Sequence, residues 1–92
     1  MTKKELVKSV SALTGYKRTE VYDILFGITE AIADELARGN EVQLTGFGTF
    51  STKEMSGFTA RGFNQEEINV PNRIVPVFRA GAELRRKVCK DL

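Results

Sequence analysis

The 92-residue chain contains no histidine and no tryptophan, only one cysteine and only two prolines. Without imidazole, catalysis or metal binding through histidine is excluded. A single cysteine forms neither an internal disulfide nor a multi-cysteine zinc site, so the fold stands without covalent staples. Cys89 is expected to be a small apolar filler, because no histidine is present to activate its thiol. No stretch approaches the ~18 consecutive apolar residues of a membrane span. The opening residues lack the apolar run of about 7–15 residues found in a signal peptide, so the expected setting is a reducing cytoplasm. A strong excess of one charge is missing too: 14 basic side chains face 12 acidic ones, for a net +2.

What is present is the composition of a small folded domain, 41% hydrophobic and 28% charged. Thr2-Lys3-Lys4-Glu5 has the spacing of a capping box. Leu6, Val10 and Leu13 follow at helical spacing, with Val7 widening the stripe, and Gly15 ends the helix. A second helical pattern runs from about Arg18 to Arg38 through Val21, Ile24, Leu25, Ile28, Ile32 and Leu36, closed by Gly39 and Asn40. Thr19 is the best local cap, with a start a residue or two earlier as the alternative. Gly27, in mid-helix, costs about 1 kcal/mol against alanine. It is either an uncompensated cost or the mark of a close helix approach.

Beyond Asn40 the period changes to two. Glu41-Val42-Gln43-Leu44 alternates, turns at Thr45-Gly46-Phe47-Gly48, and continues from Phe50 through Thr52 and Glu54. Ile68, Val70, Ile74 and Phe78 mark a later strand. Pro71 and Pro76 make that strand an edge or break it, because proline donates no ladder hydrogen bond. The Gly-rich stretch from Ser56 to Gln65 suits a long hairpin with its tip near Gly62–Gln65. Gly81 then precedes a short basic helix marked by Leu84 and Val88. Helices and strands are segregated, which predicts an α+β fold: a two-helix hairpin, a three-stranded antiparallel sheet with a long β-ribbon arm, and a C-terminal helix. Such a chain has difficulty burying Phe47, Phe50, Phe78, Val75 and Val77 alone, and a homodimer with a shared core is the economical expectation.

The charge is uneven along the chain. Residues 1–18 carry Lys3, Lys4, Lys8, Lys17 and Arg18 against Glu5; residues 79–92 carry Arg79, Arg85, Arg86, Lys87 and Lys90 against Glu83 and Asp91; the segment between them is acidic. Two basic ends give a nucleic-acid-binding face if they converge, or solvated helix faces if they do not. No enzymatic constellation competes. Glu66 and Glu67 are adjacent on a hairpin and point to opposite faces. Asp34 and Glu35 are neighbours on an exposed helix face. Gly46-Phe47-Gly48 lacks the following helix of a phosphate-cradling loop. Neither an enzymatic activity nor a cofactor is expected.

Three segments carry a resemblance. The stretch from Glu41 to Phe50, the opening Thr2-Lys3-Lys4-Glu5-Leu6, and Val75-Pro76-Val77-Phe78-Arg79-Ala80-Gly81 together resemble the HU and integration host factor family of bacterial histone-like DNA-bending proteins. The resemblance spans essentially the whole chain, 1–92, as a single DNA-binding domain with its arm at about 53–73. It implies an intertwined homodimer or heterodimer, associated with the nucleoid, whose two β-ribbon arms reach around the minor groove of double-stranded DNA. Phosphates are neutralised by the sheet, and apolar wedges at the arm tips unstack a base step. Sequence preference then comes mainly from deformability. By position, Lys3, Arg79 and Arg85 match basic residues of the family's saddle; Lys53 and Arg73 fall on its arm strands, Arg61 and Asn64 near its tip, and Gly46 at its phosphate-side turn.

The departures concern the arm. Gly62-Phe63-Asn64 is followed by Gln65-Glu66, without the family's wedge proline. Met55, Phe58 and Ala60 occupy a stretch that is basic in the family, and Ala82 stands where a basic residue is frequent. From Lys53 to Arg73, three basic residues meet Glu54, Glu66 and Glu67, so the arm is neutral. A neutral arm forgoes counterion-release energy that a basic one gains. Pairing Phe50 opposite Phe78 puts Phe63 at the tip, where it either replaces the proline wedge or packs on Phe58 or on a neighbouring molecule. The alternative function is a dimer of this fold whose neutral arms hold a protein partner or only distorted DNA.

Overall fold

The computed structural model describes residues 1–62 and 66–91. The chain divides into two compact units, Met1–Asp34 and Glu35–Leu92. The first contains α1 (Lys3–Thr14) and most of α2 (Arg18–Ala37). Thr2 caps α1 as its spacing predicts: the Glu5 amide donates to Thr2 Oγ1 at 3.3 Å. The return bond of the box differs from the usual one. Glu5 Oε1 accepts from the Thr2 hydroxyl at 3.4 Å. Gly15 closes α1 in the left-handed region, φ 81°, with its amide on the Ser11 carbonyl. The α2 start corrects the expected cap. Thr19 lies inside the helix, and the Lys17 amide donates to Glu20 Oε1 at 3.1 Å, so an acid three residues on caps the first turn.

Val7 and Val21 are the buried hydrophobic residues, at 1% and 6% exposure. Leu6, Val10, Ile24, Leu25 and Ile28 line an apolar groove of about 290 Å³ beside them. Nothing described in the chain lies within 4 Å of a Cβ built on Gly27. Among the described residues of the chain, no close helix approach meets Gly27.

The second unit is built on three antiparallel strands in the order β1-β2-β5: β1 (Val42–Leu44), β2 (Gly48–Met55) and β5 (Arg73–Ala80). The α2 end is closed by Gly39 at φ 82°, with the Asn40 amide on the Glu35 carbonyl. The expected pairing of Phe50 with Phe78 is observed. The arm strands are broken once on each side. Ser56-Gly57 interrupts one and Pro71-Asn72 the other, and pairing resumes in β3 (Phe58–Arg61) and β4 (Glu67–Val70) at Phe58↔Val70 with no slip. This divides what the sequence pattern suggests as two long strands into four. Pro76 lies in β5, which borders only β2 among the described residues, a position where a missing amide donor is tolerated. α3 (Ala82–Val88) follows directly, and exposed Cys89 is its C-cap rather than the apolar filler expected.

Val7→Ala is expected to lower stability by about 2 kcal/mol, from lost transfer energy plus a residual cavity. Urea unfolding at fixed protein concentration measures it. A loss below about 0.5 kcal/mol would mean that the site collapses around alanine.

Candidate nucleic-acid interface

Strand alternation sorts the sheet into two chemically different faces. Val42, Leu44, Phe50, Phe78 and Ile74 share one side, as the register Val42↔Phe50, Leu44↔Gly48, Phe50↔Phe78 and Glu54↔Ile74 requires. The ring of Phe78 lies 4.8 Å from Phe50 and 5.4 Å from Phe47, both tilted, an aromatic cluster at the turn end of the sheet. The other side carries Thr49 opposite Arg79, Lys53 opposite Val75, and Met55 opposite Arg73. Three of the basic residues singled out from sequence, Lys53, Arg73 and Arg79, therefore share a face, and all are exposed.

Arg85 joins them from α3. The Gly81 amide donates to the Phe47 carbonyl at 2.8 Å, and a Cβ at Gly81 meets that oxygen at 3.2 Å. This short contact clips the start of α3 to the β1–β2 turn. Thr49, Arg79, Ala80 and Arg85 then line one open hollow of about 420 Å³. Two guanidinium groups and a hydroxyl, all donors, suit an anion with several oxygens, and arginine forks match phosphate geometry. Thr49 was not singled out from sequence. Its neighbour Phe50 dominates the strand pattern, and only the register reveals that Thr49 faces Arg79.

Gly46 lies in the turn at φ 89°, a left-handed conformation that favours glycine. A Cβ there meets Glu83 Oε2 at 3.1 Å, so an acid that the sequence marked only as part of the charge balance sits against this turn. Gly48 is constrained by packing: a Cβ meets the Arg79 carbonyl and the Phe78 ring, each at 2.5 Å. Lys3 belongs to the other unit, as the first residue of α1, and is exposed.

The arm ribbon is two-faced as well. Phe58, Ala60, Ile68 and Val70 share one side by the pairs Phe58↔Val70 and Ala60↔Ile68. Phe58 and Ile68 are 58% and 50% exposed. Thr59, Asn69, Arg61 and Glu67 share the other, where the Thr59 hydroxyl donates to Asn69 Oδ1 at 3.0 Å and Arg61 pairs across from Glu67. Phe63 and Asn64, the expected tip residues, lie outside the described residues.

A family model described as bacterial DNA-binding protein matches residues 1–89. The chain is 40% identical to DNA-binding protein HU of Thermotoga maritima over 91 residues, 96% of this chain and 99% of that protein. It is 37% identical to DNA-binding protein HU of Clostridium pasteurianum, covering 98% of this chain and all of that one. The chain belongs to the HU family of bacterial DNA-binding proteins. Among solved structures, Anabaena HU cocrystallised with DNA is similar at a TM-score of 0.91 and 30% identity, over 99% of this chain and 100% of that chain. HU from Thermotoga maritima is similar at a TM-score of 0.70 and 32% identity, over 97% of this chain and 100% of that one. The HU family placement agrees with the α+β architecture and with the non-enzymatic role expected from the sequence. No helix among the described residues is long and apolar enough to cross a membrane.

Within this HU-family fold, the break between sheet and arm is held by one glycine. The Gly57 amide donates to Asn72 Oδ1 at 2.6 Å, and a Cβ at Gly57 collides with the Val70 carbonyl oxygen. Gly57→Ala is expected to unpair β3 from β4 while leaving β2–β5 intact. Amide hydrogen exchange reads this as protection lost at residues 58–61 and 67–70 and retained at residues 48–55. Retained protection in the arm would show that the backbone shifts to accept the methyl group.

Proposed function

We propose that two copies of this chain form a dimer that binds double-stranded DNA through the minor groove and bends it with low sequence specificity, in the cytoplasm as part of the nucleoid. The observation that carries this reading is the register of β2 and β5, which gathers Lys53, Arg73 and Arg79 on one sheet face with Arg85 beside them, in a member of the HU family. Dimerisation is supported by the apolar surface that one chain leaves open. Phe26 is 61% exposed and Phe47 47%, while the buried hydrophobic residues among those described are two valines. Patches of this kind mark association surfaces.

In this reading Arg79, Arg85 and Lys3 neutralise phosphates beneath the duplex, with the Gly46 turn at its margin. Lys53, Arg73 and Arg61 guide the arm, and Asn64 and Phe63 act at its tip. Phe63 serves as the wedge that enters a base step, in place of proline. The apolar side of the ribbon, Phe58 and Ile68, lies against the sugar walls of the groove, so the arm holds DNA mainly through contacts that release no counterions.

Replacing Arg79 and Arg85 together with glutamate is expected to weaken duplex binding at least about 100-fold near 100 mM salt, since two charge-assisted phosphate contacts become repulsions. Unchanged affinity in a filter or anisotropy titration would overturn the assignment. The arm separates by salt dependence. Arg61→Gln is expected to reduce the slope of log affinity against log salt by about 0.9 for each arm of the dimer, whereas Phe58→Ser lowers affinity with the slope unchanged. Phe63→Ala is expected to reduce the bend of a nicked duplex at equal occupancy, read by energy transfer between its ends. An unchanged bend removes Phe63 as the wedge. Sedimentation equilibrium is expected to give twice the 10.3 kDa chain mass.

A further inference from the structure

The helical unit contains a second cationic hollow that none of the preceding assignments uses. Lys4 and Lys8, four residues apart, share a face of α1; Arg18 and Tyr22, four apart, share a face of α2. Buried Val7 and Val21, each next in sequence to one of these residues, fix the two stripes in place. Together with Glu5 the four side chains line a hollow of about 300 Å³. At about 30 Å³ per water molecule, that is room for a tetrahedral oxyanion with part of its hydration.

The chemistry of the lining is almost entirely donor. The residues lining it bring two ammonium groups, one guanidinium and one phenol. The lone carboxylate, Glu5, is engaged by the Thr2 hydroxyl in the α1 cap. Among the described residues Arg38–Glu35 is the ion pair within 4.0 Å, and within that set Lys4, Lys8 and Arg18 form none. The arrangement also works against the helices that carry it. Lys4 and Lys8 repel at the i,i+4 spacing, and Lys4 and Arg18 sit in the first turns of their helices, where the macrodipole disfavours cations. A local arrangement that opposes its own secondary structure, with no ion pair in return, is what a ligand site looks like without its ligand.

We propose that Lys4, Lys8, Arg18 and Tyr22 form a phosphate-binding site on the helical unit. The proposal extends the DNA-binding reading, because the phosphodiester backbone of a bound duplex is one source of that group; free inorganic phosphate is the other. Both lysines act as point charges, Arg18 offers the two-pronged fork, and the Tyr22 hydroxyl, 37% exposed in its residue, supplies a neutral donor.

The test uses the intact chain and the triple variant Lys4→Gln, Lys8→Gln, Arg18→Gln, which removes the charges but keeps good helix formers. Inorganic phosphate is titrated against the native protein and followed by amide and Tyr22 ring resonances. Saturable shifts at residues 4–8 and 18–22, lost in the triple variant, are expected. Duplex binding is measured across salt in parallel. If DNA supplies the phosphate, the triple variant binds about 10-fold or more weaker near 100 mM salt, and its salt slope falls by about 2–3 for each copy of the site that touches the duplex, one contact per lost charge. Arg38→Gln, which removes a cation already paired to Glu35, controls for bulk charge and should leave the slope nearly unchanged.

Helical circular dichroism and the thermal midpoint of the triple variant should stay equal or rise, because repulsion is relieved. Localised phosphate shifts with an unaltered DNA slope assign the site to the free ion and uphold it. Absence of both the shifts and the slope change overturns the proposal. A native chain that fails to bind duplex at all overturns the DNA-binding reading instead, and the phosphate titration still decides the site.

Discussion

The pairing of β2 with β5 is the constraint on which the rest of the second unit depends. Because side chains alternate, a one-residue slip would carry Arg79, Lys53 and Arg73 out of line with one another relative to the phenylalanines across the ladder. Two local features oppose such a slip. Gly48 lies so close to the Arg79 carbonyl and the Phe78 ring that only glycine fits opposite Ala80 without a shift. The Phe50–Phe78–Phe47 cluster adds directional packing at the same end. The arm inherits this register across its break, so the placement of Phe58 beside Val70 is decided about ten residues away, at the turn.

The modest net charge of +2 follows from how sign is distributed by face rather than from weak basicity everywhere. In the sheet, the basic residues share the side without the aromatic cluster. In the ribbon, Arg61 and Glu67 cancel across the polar side, and the remaining side is apolar. Two of the second unit's guanidinium groups thus meet at the Thr49–Arg79–Arg85 hollow, where α3 meets the strand ends. A ribbon of this composition trades long-range attraction for contact area. In the proposed binding mode such a ribbon acts once the duplex is close, and the burden of encounter falls on the guanidinium groups of the body.

Much of this was legible in the residues. Periodicity located both long helices and the strand pair, Thr2 and Glu5 announced the first cap, and Pro71 signalled the break that separates β4 from β5. The errors share one cause, which is that local pattern ranks candidates by residue type alone. Thr19 is the better capping residue by composition, yet Glu20 reaches the Lys17 amide and sets the start earlier. Cys89 is apolar by composition, yet it falls on the last turn of a seven-residue helix with no element described against it. Thr49 and Glu83 escaped notice as site residues because their importance lies in partners distant in sequence, Arg79 across the ladder and Gly46 at the turn. Capping chemistry can be read from three or four residues; convergence on a hollow cannot.

The apolar and basic faces of the sheet belong to the same strands, and this links assembly to binding. Val42, Leu44, Phe50 and Phe78 alternate with Gln43, Thr49, Lys53 and Arg79 along three strands joined by two ladders. A three-stranded sheet with one face in water and a two-valine helical core has little independent stability, and its exposed phenylalanines gain most from being covered. Whatever covers them stiffens the strands, and stiff strands hold the guanidinium groups at fixed spacing on the reverse side. Ordering that would otherwise oppose ligand capture is then already complete when the ligand arrives. For a sheet this thin, burying the aromatic side and preorganising the arginine side are one event.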